Sequence, residues 1–278
     1  MSEIFGIDVA KWQGDIDWTK VAQTKEFAIL KVTQKNNRIE GKFETNYKEA
    51  TKAGLAIGGY RYVYAKTVEQ AEKEAMAIVK ACTGRKLSYG IWLDMEDASI
   101  KNIGKNTLTR IIQTEARILQ LAGLPVGIYC NKDWYDNVLD SQYLATEYPF
   151  WIARYPAHDD GSYTSTSKLN PKEYSVSWQY SSKGKVEGIK GDVDLDVATT
   201  YIPHLFVAQP VLRRYSTGLQ VKKLQVNFNR VINANLEPDG KFGPLTNTKL
   251  RKWQGITGLS VDGIYGPKSA DRMRNILG

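Results

Sequence analysis

Two carboxylates, Asp94 and Glu96, stand at the end of an apolar run that begins at Tyr89. Such a run is typical of a buried strand, and alternation in a strand places residues i and i+2 on one face. We therefore expect the two acids to project side by side and to perturb each other's pKa values. Glycosidic hydrolysis uses such a pair: one carboxyl donates a proton to the leaving oxygen, while an ionised carboxylate stabilises positive charge on the sugar. Two salt-bridged surface acids at a strand end are the alternative.

Two further acids, Asp8 and Asp194, are predicted to join this pair. Asp8 ends the first strand pattern, and Asp194 lies in the last one. If the strands close into a barrel, the first and last strands become neighbours, and functional side chains come from the carboxyl ends of barrel strands. Four carboxylates at one mouth repel each other, so a structural role does not explain them. A two-metal phosphodiesterase, which could also use four acids, is the weaker alternative.

Metal sites of two other kinds are disfavoured by the sequence. The aspartates of GDVDLDV at 191–197 have the spacing of a calcium loop, but an EF-hand needs Gly and Glu where the chain has Val197 and Pro203. The two histidines, His158 and His204, are fewer than a zinc hydrolase typically uses. We expect neither a metal nor a cofactor.

Strand and helix patterns alternate over the first 200 residues. The strand candidates are Ile4–Val9, Phe27–Val32, Ala56–Val63, Tyr89–Met95, Val126–Tyr129, Phe150–Ala153, Val176–Tyr180 and Val193–Leu195. Helices are predicted over Thr67–Cys82, which opens with a capping-box pattern, and over Thr107–Ala122. Alternation predicts an α/β fold with a parallel sheet, and eight strands predict a closed barrel. After Pro149 the helical periodicity fades, so we expect five βα units followed by three strands.

Aromatic side chains cluster at the same strand ends. They are Tyr60, Tyr62, Tyr129, Trp151, Tyr155, Trp178 and Tyr180. Sugar rings present C–H faces that pack on aromatic rings, although a core role is as plausible for any single one. Lys31 ends the second strand inside an apolar segment, where a lysine is expected to pair with the acids or to contact substrate.

The C-terminal region contains an internal repeat. The sequence DGKFGP at 239–244 recurs as DGIYGP at 262–267, and each copy predicts a tight turn that leads into a helix. The predicted helices are near Val221–Ile232, Pro244–Gln254 and Pro267–Leu277. We expect a small helical module after a linker at 204–214.

Positive charge is concentrated in that region. Residues 211–278 hold 12 Lys/Arg and 4 Asp/Glu, whereas the preceding 210 residues hold 26 of each, so the net charge of +8 belongs to the C-terminal part. This distribution predicts an anionic partner, for which nucleic acid and an anionic cell envelope are both candidates. A solvated basic face is the alternative.

Composition sets broad limits. A chain of 278 residues with 42% hydrophobic and 24% charged residues is typical of one or two globular domains. Its apolar stretches are shorter than the roughly 20 residues that span a bilayer. The N-terminus lacks a signal-peptide pattern, so we expect synthesis in the cytoplasm and another route to an extracellular target. Cys82 and Cys130 have no C-x-x-C spacing, and we expect free thiols.

The first 200 residues resemble the glycoside hydrolase family 25 lysozymes, which are N-acetylmuramidases. The matching blocks are GIDVAKWQGDIDW (6–18), AILKVTQ (28–34), GGYRYVYA (58–65), GIWLDMED (90–97), GIYCNKDW (127–134), FWIARYP (150–156), SWQYSS (177–182) and GDVDLDV (191–197). The resemblance implies a (β/α)5β3 TIM-like barrel. It also implies hydrolysis of the β-1,4 bond from N-acetylmuramic acid to N-acetylglucosamine in peptidoglycan.

The resemblance assigns roles to individual residues. Glu96 corresponds to the general acid, and Asp8, Asp94 and Asp194 correspond to the surrounding carboxylates. The candidate substrate-binding residues are Lys31, Tyr60, Tyr62, Tyr129, Trp151, Tyr155, Trp178 and Gln179. The chain departs from the family pattern at Arg61, where the family often has His, and at Gln34-Lys35, where it often has Glu-Gly.

Residues 215–278 resemble the three-helix peptidoglycan-binding domain, whose hallmark is the repeated turn. The candidate wall-binding residues are Asp239, Gly240, Phe242, Asp262, Gly263 and Tyr265. We expect a catalytic barrel at 1–203, a linker at 204–214 and this module at 215–278. The architecture resembles a bacteriophage endolysin, which reaches the wall through a phage-made membrane hole. An exported bacterial autolysin is also compatible.

These observations lead to a mechanistic hypothesis. Glu96 acts as general acid and base, kept protonated by apolar surroundings and by the charge of Asp94. Asp94 stabilises the oxocarbenium-like transition state, either as a nucleophile or by orienting the substrate's 2-acetamido group, and both routes retain configuration. The expected partner of a monomer is peptidoglycan, with anionic wall polymers as further candidates and without nucleic acid or membrane insertion. A wall-binding protein with an inactive barrel and a metal-dependent hydrolase are the competing hypotheses.

Overall fold

The computed structural model describes residues 3–198 and 211–277, and the chain divides into two compact units, each treated separately below. The first comprises the barrel sequence, and the second comprises the helical C-terminal region together with the short segment Gln142–Glu147. Most of the predicted linker, residues 204–210, lies outside the described residues. Leu212, which that prediction also placed in the linker, is buried in the core of the second unit.

The first unit is a closed barrel in which eight strands follow one another in chain order. They are β1 Ile4–Val9, β2 Phe27–Lys31, β3 Ala56–Tyr62, β4 Ile91–Asp94, β5 Val126–Asn131, β6 Phe150–Ala153, β7 Ser177–Gly184 and β8 Val193–Ala198. The α/β barrel class is therefore confirmed, including its five βα units and its three final strands. Strands such as β2 and β4 read as unbroken apolar runs because both of their faces are covered.

The direction of β8 differs from the expected parallel sheet. Strands β1 to β7 pair in parallel, whereas β8 pairs antiparallel with both β7 and β1. Only residues 185–192 connect β7 to β8, and a parallel pair needs a crossover of a dozen or more residues. The short connection therefore forces a hairpin, and the start of β8, rather than its end, lies beside the carboxyl end of β1.

The α-helices between the barrel strands follow the early strands. They are α1 Trp18–Val21, α2 Phe43–Lys52, α3 Val68–Cys82, α4 Lys105–Leu121 and α5 Ser141–Leu144. Thr67 is the N-cap of α3, and its hydroxyl accepts a hydrogen bond from the Gln70 amide at 3.3 Å, as the capping pattern predicts. Within the described residues every helix is too short or too polar to traverse a bilayer. Cys82 and Cys130 are buried free thiols, as predicted.

Large aromatic side chains pack together with smaller residues between the strands. This cluster comprises Phe27, Ile29, Tyr89, Trp92, Tyr129, Trp151, Ala153 and Ala198. Glycines on neighbouring strands make room for these rings: Gly6 pairs with Phe27, and Gly127 pairs with Trp92. Because Trp92 lies two residues before Asp94 on β4, the aromatic cluster continues directly below the acids.

The second unit contains three helices, α6 Leu219–Ile232, α7 Pro244–Ile256 and α8 Pro267–Leu277, which confirms the predicted helical module. Its core is formed by Leu212, Val221, Leu224, Phe228, Ala234, Leu236, Phe242, Leu250, Trp253, Tyr265, Ala270 and Met273. Residues 212–218 form a segment, called the strap below, in which a turn lies between two isolated β-bridges. The strap pairs with the second repeated turn through Leu212 and Tyr265, and with the first through Thr217 and Lys241.

Substitution of Gly127 by Ala tests the packing below the acids. An added Cβ would lie 2.3 Å from the Trp92 ring, which is fixed because its indole nitrogen donates to the Tyr89 carbonyl at 2.9 Å. We expect Gly127→Ala to lower the free energy of unfolding by about 1–3 kcal/mol, measured by urea denaturation. Gly41→Ala is the matched control, because no atom lies within 4 Å of its added Cβ. Equal stability of the two variants would contradict this packing.

Candidate active site

A cavity of about 320 Å³ opens at the carboxyl ends of β1 to β7. Its lining residues are Asp8, Lys31, Tyr60, Tyr62, Asp94, Glu96, Tyr129, Trp151, Tyr155, Gln179 and Asp194. Each of the eight strands contributes at least one of them. All four acids predicted from the sequence line this cavity, together with seven of the eight predicted substrate-binding residues.

The pairing of the strands explains this convergence. Barrel closure sets Asp8 of β1 directly opposite Asp194 of β8. Asp94 lies between Tyr62 of β3 and Tyr129 of β5 in the sheet register, and Glu96 follows two residues later on the same side. Residues that are far apart in the sequence therefore meet because neighbouring strands end at the same level.

Burial dominates the protonation of Asp94 and Glu96. It raises the pKa of Asp94 well above its ordinary value, and the charge of Glu96 raises it further. Burial also raises the pKa of Glu96, and here the next contribution is the charge of Asp194. The sequence predicts that apolar surroundings and the charge of Asp94 keep Glu96 protonated. Burial agrees with the first of these causes, whereas the charge that raises the pKa of Glu96 most is that of Asp194. Lys31 lowers the pKa values of both Asp94 and Glu96.

A second group of acids surrounds the β1–β8 contact. Burial raises the pKa of Asp8 well above its ordinary value, with Asp194 and Asp196 adding to the effect. Burial raises the pKa of Asp194 to about 6, and Asp159 contributes to the same shift. Ionisation of one of these carboxyls therefore opposes ionisation of the next.

Asp196 is the residue that sequence reasoning missed. It is fully buried, and one carboxylate oxygen accepts a hydrogen bond from the Trp151 indole at 2.9 Å. Burial and the charge of Asp194 raise its pKa well above the ordinary value. The alternation of GDVDLDV placed Asp194 and Asp196 on one face, which was the available signal. Because β8 runs antiparallel, the later of the two lies deeper.

Gln179 connects the acids to the aromatic wall. Its amide nitrogen donates to Asp8, and its amide oxygen accepts hydrogen bonds from the hydroxyls of Tyr129 and Tyr155. These three hydrogen bonds fix the Gln179 side chain, and through it the Asp8 carboxylate. The structure thus adds a positioning role to the predicted substrate contact.

The aromatic predictions divide into two sets. Tyr60 and Tyr62 flank Lys31, whose Nζ lies 5.4 and 5.5 Å from the two ring centroids. Trp178, by contrast, does not line this cavity, and its contact with substrate stays a prediction. It precedes Gln179 on β7 and points to the opposite face, where its indole donates to the Arg154 carbonyl at 2.8 Å. Neighbouring strand residues alternate between faces.

The two departures from the family pattern meet in one buried network. Arg61 points away from the cavity and donates to the Gln34 carbonyl at 3.0 Å and to the Thr33 hydroxyl at 2.6 Å. It also forms an ion pair with Glu74 of α3 at 3.0 Å. Arg61 thereby links β3, α3 and the segment after β2, and it does not line the cavity.

The six residues predicted to bind the wall have structural partners within the second unit. The Gln225 side chain donates to Asp239 at 2.8 Å and accepts from the Gly240 amide at 2.9 Å. The second repeat reproduces this glutamine clamp: Gln254 donates to Asp262 at 2.8 Å and accepts from the Gly263 amide at 3.0 Å.

The aromatic residues of the two turns belong to the core of the second unit. Phe242 and Tyr265 are 2% and 8% exposed, so their rings offer little surface to a wall polymer in this conformation. An aromatic residue after a tight turn serves here to anchor the turn in the core, and the part of these two residues in wall binding stays a prediction.

A larger, open depression, lined among others by Glu44, Tyr47 and Arg85, lies away from the acids. Its charged residues are satisfied by an Arg85–Glu44 ion pair, so the smaller cavity is the better candidate for chemistry. Within residues 3–198 and 211–277, no group of three or more His, Cys, Asp and Glu side chains has an arrangement suited to holding a metal ion.

Comparison with family models gives two matches. Residues 7–189 match glycosyl hydrolases family 25, and residues 217–273 match a peptidoglycan binding domain. The autolytic lysozyme of Clostridium acetobutylicum is 30% identical over 98% of this chain and 79% of its own length. Lysozyme M1 of Streptomyces globisporus is 29% identical over 69% of this chain and 67% of its own length.

A solved structure shares the fold. The catalytic domain of endolysin ply40 from bacteriophage P40 of Listeria monocytogenes superimposes with a TM-score of 0.61 at 20% identity. The match covers 74% of this chain and 97% of that domain.

Replacement of Asp194 by Asn tests the burial of this acid. Its folded-state pKa of about 6 exceeds the ordinary 3.8, so the folded protein holds the proton more tightly than the unfolded chain. The stabilising effect of that proton is complete below about pH 4 and is lost as the pH rises through 6. Asp194→Asn should therefore raise the free energy of unfolding at pH 7.5, by on the order of 2–3 kcal/mol, and should have little effect at pH 4.

The measurement is urea denaturation at both pH values. Asp192→Asn is the control, because Asp192 lies two residues earlier and its pKa is lowered through a hydrogen bond with Lys185. That control should gain no stability at pH 7.5. Loss of stability in Asp194→Asn at pH 7.5 would mean that the ionised carboxylate is well accommodated in the fold.

Proposed function

Because the chain belongs to glycosyl hydrolases family 25 and is a glycoside hydrolase that acts on peptidoglycan, we propose that it is an N-acetylmuramidase. The bond cleaved is the β-1,4 bond from N-acetylmuramic acid to N-acetylglucosamine. One observation carries the proposal: Glu96 and three aspartates line a single cavity with aromatic walls. Mutual repulsion of the carboxylates makes this arrangement energetically unfavourable. Hydrolysis of a glycosidic bond requires such a group of carboxyls, which accounts for it.

Glu96 is the general acid and base in this proposal. It lines the cavity and is less buried than Asp94, so it can reach the glycosidic oxygen of a bound glycan. Its raised pKa favours the protonated form that donates to the leaving group. After the sugar leaves, the same carboxylate removes a proton from the attacking water.

Asp94 stabilises the positive charge that develops at the anomeric carbon. It acts either as a nucleophile or by orienting the 2-acetamido group of the substrate, and both routes retain the anomeric configuration. Burial raises the pKa of Asp94, and the charge of Lys31 opposes that rise and so favours the ionised form. Asp8 and Asp194 tune this charge from the opposite side of the cavity, and Gln179 fixes Asp8.

The walls of the cavity are suited to a sugar chain. The rings of Tyr60, Tyr62 and Trp151 provide flat apolar surfaces for pyranose C–H faces. The hydroxyl of Tyr155 and the ammonium group of Lys31 provide polar contacts at the same level.

The second unit, in this proposal, carries the enzyme to the wall. It matches a peptidoglycan binding domain, and residues 211–278 hold the entire net charge of +8. A basic module favours an anionic envelope through long-range attraction. The combination supports a bacteriolytic role of the endolysin or autolysin type.

The variant Glu96→Gln tests the assignment of the general acid. Loss of a general acid typically costs a factor of 10²–10⁴, so we expect the rate of peptidoglycan cleavage to fall by at least about a hundredfold. Purified peptidoglycan is digested, the fragments are reduced with borohydride, and their ends are identified by mass spectrometry. Reduced muramic acid should appear with the parent enzyme and be nearly absent with Glu96→Gln.

Glu69→Gln, an exposed acid on α3, is the control and should retain full activity. Reduced glucosamine ends would mean that the other glycosidic bond is cleaved by the same acids. Intact glycan with released stem peptides would contradict the role of Glu96 altogether.

Activity in a chelator distinguishes this proposal from a metal-dependent hydrolase. A mechanism based on Glu96 and Asp94 needs no divalent cation, so we expect the cleavage rate to be unchanged, within about twofold, after dialysis against EDTA. The rate is measured as the loss of turbidity of a wall suspension. Loss of activity that is restored by added metal would contradict the two-carboxylate mechanism.

A further inference from the structure

Tyr215 in the strap has an unusual backbone conformation. Among the described residues four that are not glycine have positive φ, and the other three are asparagines, Asn37, Asn233 and Asn235. Asparagine tolerates the left-handed region, whereas a bulky side chain there is strained. Tyr215, with φ 74°, is therefore the exception that needs a reason.

The strap itself imposes this conformation. The Ser216 amide donates to the Arg213 carbonyl at 2.9 Å, which closes a turn with Tyr215 in its third position. A positive φ in that position is the signature of a type II turn, for which glycine is the preferred residue. The turn is held at both ends, because Leu212 pairs with Tyr265 and the Phe242 amide donates to the Ser216 carbonyl at 2.9 Å. Glycine would satisfy the backbone at this position without strain.

The ring of Tyr215 makes no contribution to the core that would offset this strain. It is 83% exposed, the largest value among the exposed large apolar side chains of the described residues. Its recorded ring contact is with Arg214, whose guanidinium carbon lies 5.4 Å from the ring centroid. An exposed aromatic ring beside a cation, on a backbone that would prefer glycine, indicates a contact outside the chain.

We propose that Tyr215 and Arg214 form a binding site for peptidoglycan on the second unit. The Tyr215 ring stacks on the C–H face of an amino-sugar ring, and the Arg214 guanidinium pairs with a free carboxylate of the stem peptide attached to muramic acid. This inference rests on the proposed wall-targeting role of the second unit and names the surface that performs it.

Peptidoglycan fits this site better than other anionic partners. A flat exposed ring selects for a saturated sugar face, and an adjacent arginine selects for an acid close to that sugar. A muramic acid residue presents the sugar face, and the stem peptide attached to it presents carboxylates close to that face. The surrounding charge of residues 211–278 attracts any polyanion, but attraction alone does not require an aromatic ring at a strained position.

The test uses the full chain carrying Glu96→Gln, so that the wall is not digested during the measurement. Binding is measured by co-sedimentation with purified peptidoglycan from which anionic polymers have been removed. Tyr215→Gly removes the ring and the strain together, whereas Tyr215→Ala removes the ring alone. Ile256→Ala removes an exposed apolar side chain at the end of α7 and is the matched control.

We expect both Tyr215 variants to bind about three- to tenfold more weakly, and Arg214→Gln to show a similar loss. Ile256→Ala should bind like the parent. The melting temperature of Tyr215→Gly should equal or exceed that of the parent, because glycine adopts positive φ without a steric penalty. A gain in stability together with a loss of binding is the result that a purely structural tyrosine would not give.

Unchanged binding of both Tyr215 variants would overturn the proposed site while leaving the wall-targeting role intact. A lower melting temperature of Tyr215→Gly, with binding lost in proportion, would overturn it in favour of a structural role. If the Glu96→Gln parent binds only walls that retain their anionic polymers, the wall-targeting ligand is the polymer and the peptidoglycan site is wrong. If the parent binds neither preparation, the wall-targeting function itself fails.

Discussion

Closure of the barrel by antiparallel pairing of β1 with β8 is the constraint on which the site depends. It sets Asp8 opposite Asp194 and brings Asp196 to a level below them. Each of these carboxyls is desolvated, and their charges oppose one another, so their pKa values rise together. The surrounding structure must therefore hold together acids whose charges repel one another. Gln179 binds Asp8, and the Trp151 indole binds Asp196. The energy that holds these groups in place comes from the rest of the fold.

The aromatic layer beneath the acids supplies much of that energy. Trp92 and Trp151 meet edge to face at 5.7 Å, and Trp151 lies 4.4 Å from the Tyr129 ring. These rings are wide, so glycines on adjacent strands are needed to admit them. The same layer covers the inner side of the acids, which contributes to the burial that raises their pKa values. The packing of the barrel interior and the raised pKa values of the acids therefore both follow from this aromatic layer. On the outer side of β3, Arg61 plays a comparable role by neutralising Glu74 within a buried network.

The second unit achieves stability by a different route. Two copies of one device, a glutamine that binds an aspartate and the following glycine amide, hold the two turns in the same geometry. The strap joins the two copies, and the turn aromatics fill the core between the helices. A repeated motif of this kind is recognisable because the fold requires it. In our proposal a ligand contact lies outside the motif, at Tyr215 in the strap, whose positive φ is disfavoured for a bulky side chain.

Hydrophobic periodicity in the sequence was enough to predict eight strands, the main helices and four acids at strand ends, because burial of one face imposes these patterns locally. The repeat likewise predicted the helical module.

Three features required the tertiary structure. The direction of β8 made Asp194 a cavity residue and Asp196 a deeper one, and that direction follows from the length of a connection rather than from the strand's own residues. Gln179 lies on the inward face of β7 and Trp178 on the outward face. Alternation along the strand predicts that the two residues lie on opposite faces, but it does not predict which face is inside. The clamps of Gln225 and Gln254 were invisible because each joins residues 8 to 15 positions apart through side chains. In each case a local pattern specified which residues share a face, and only long-range packing decided what that face meets.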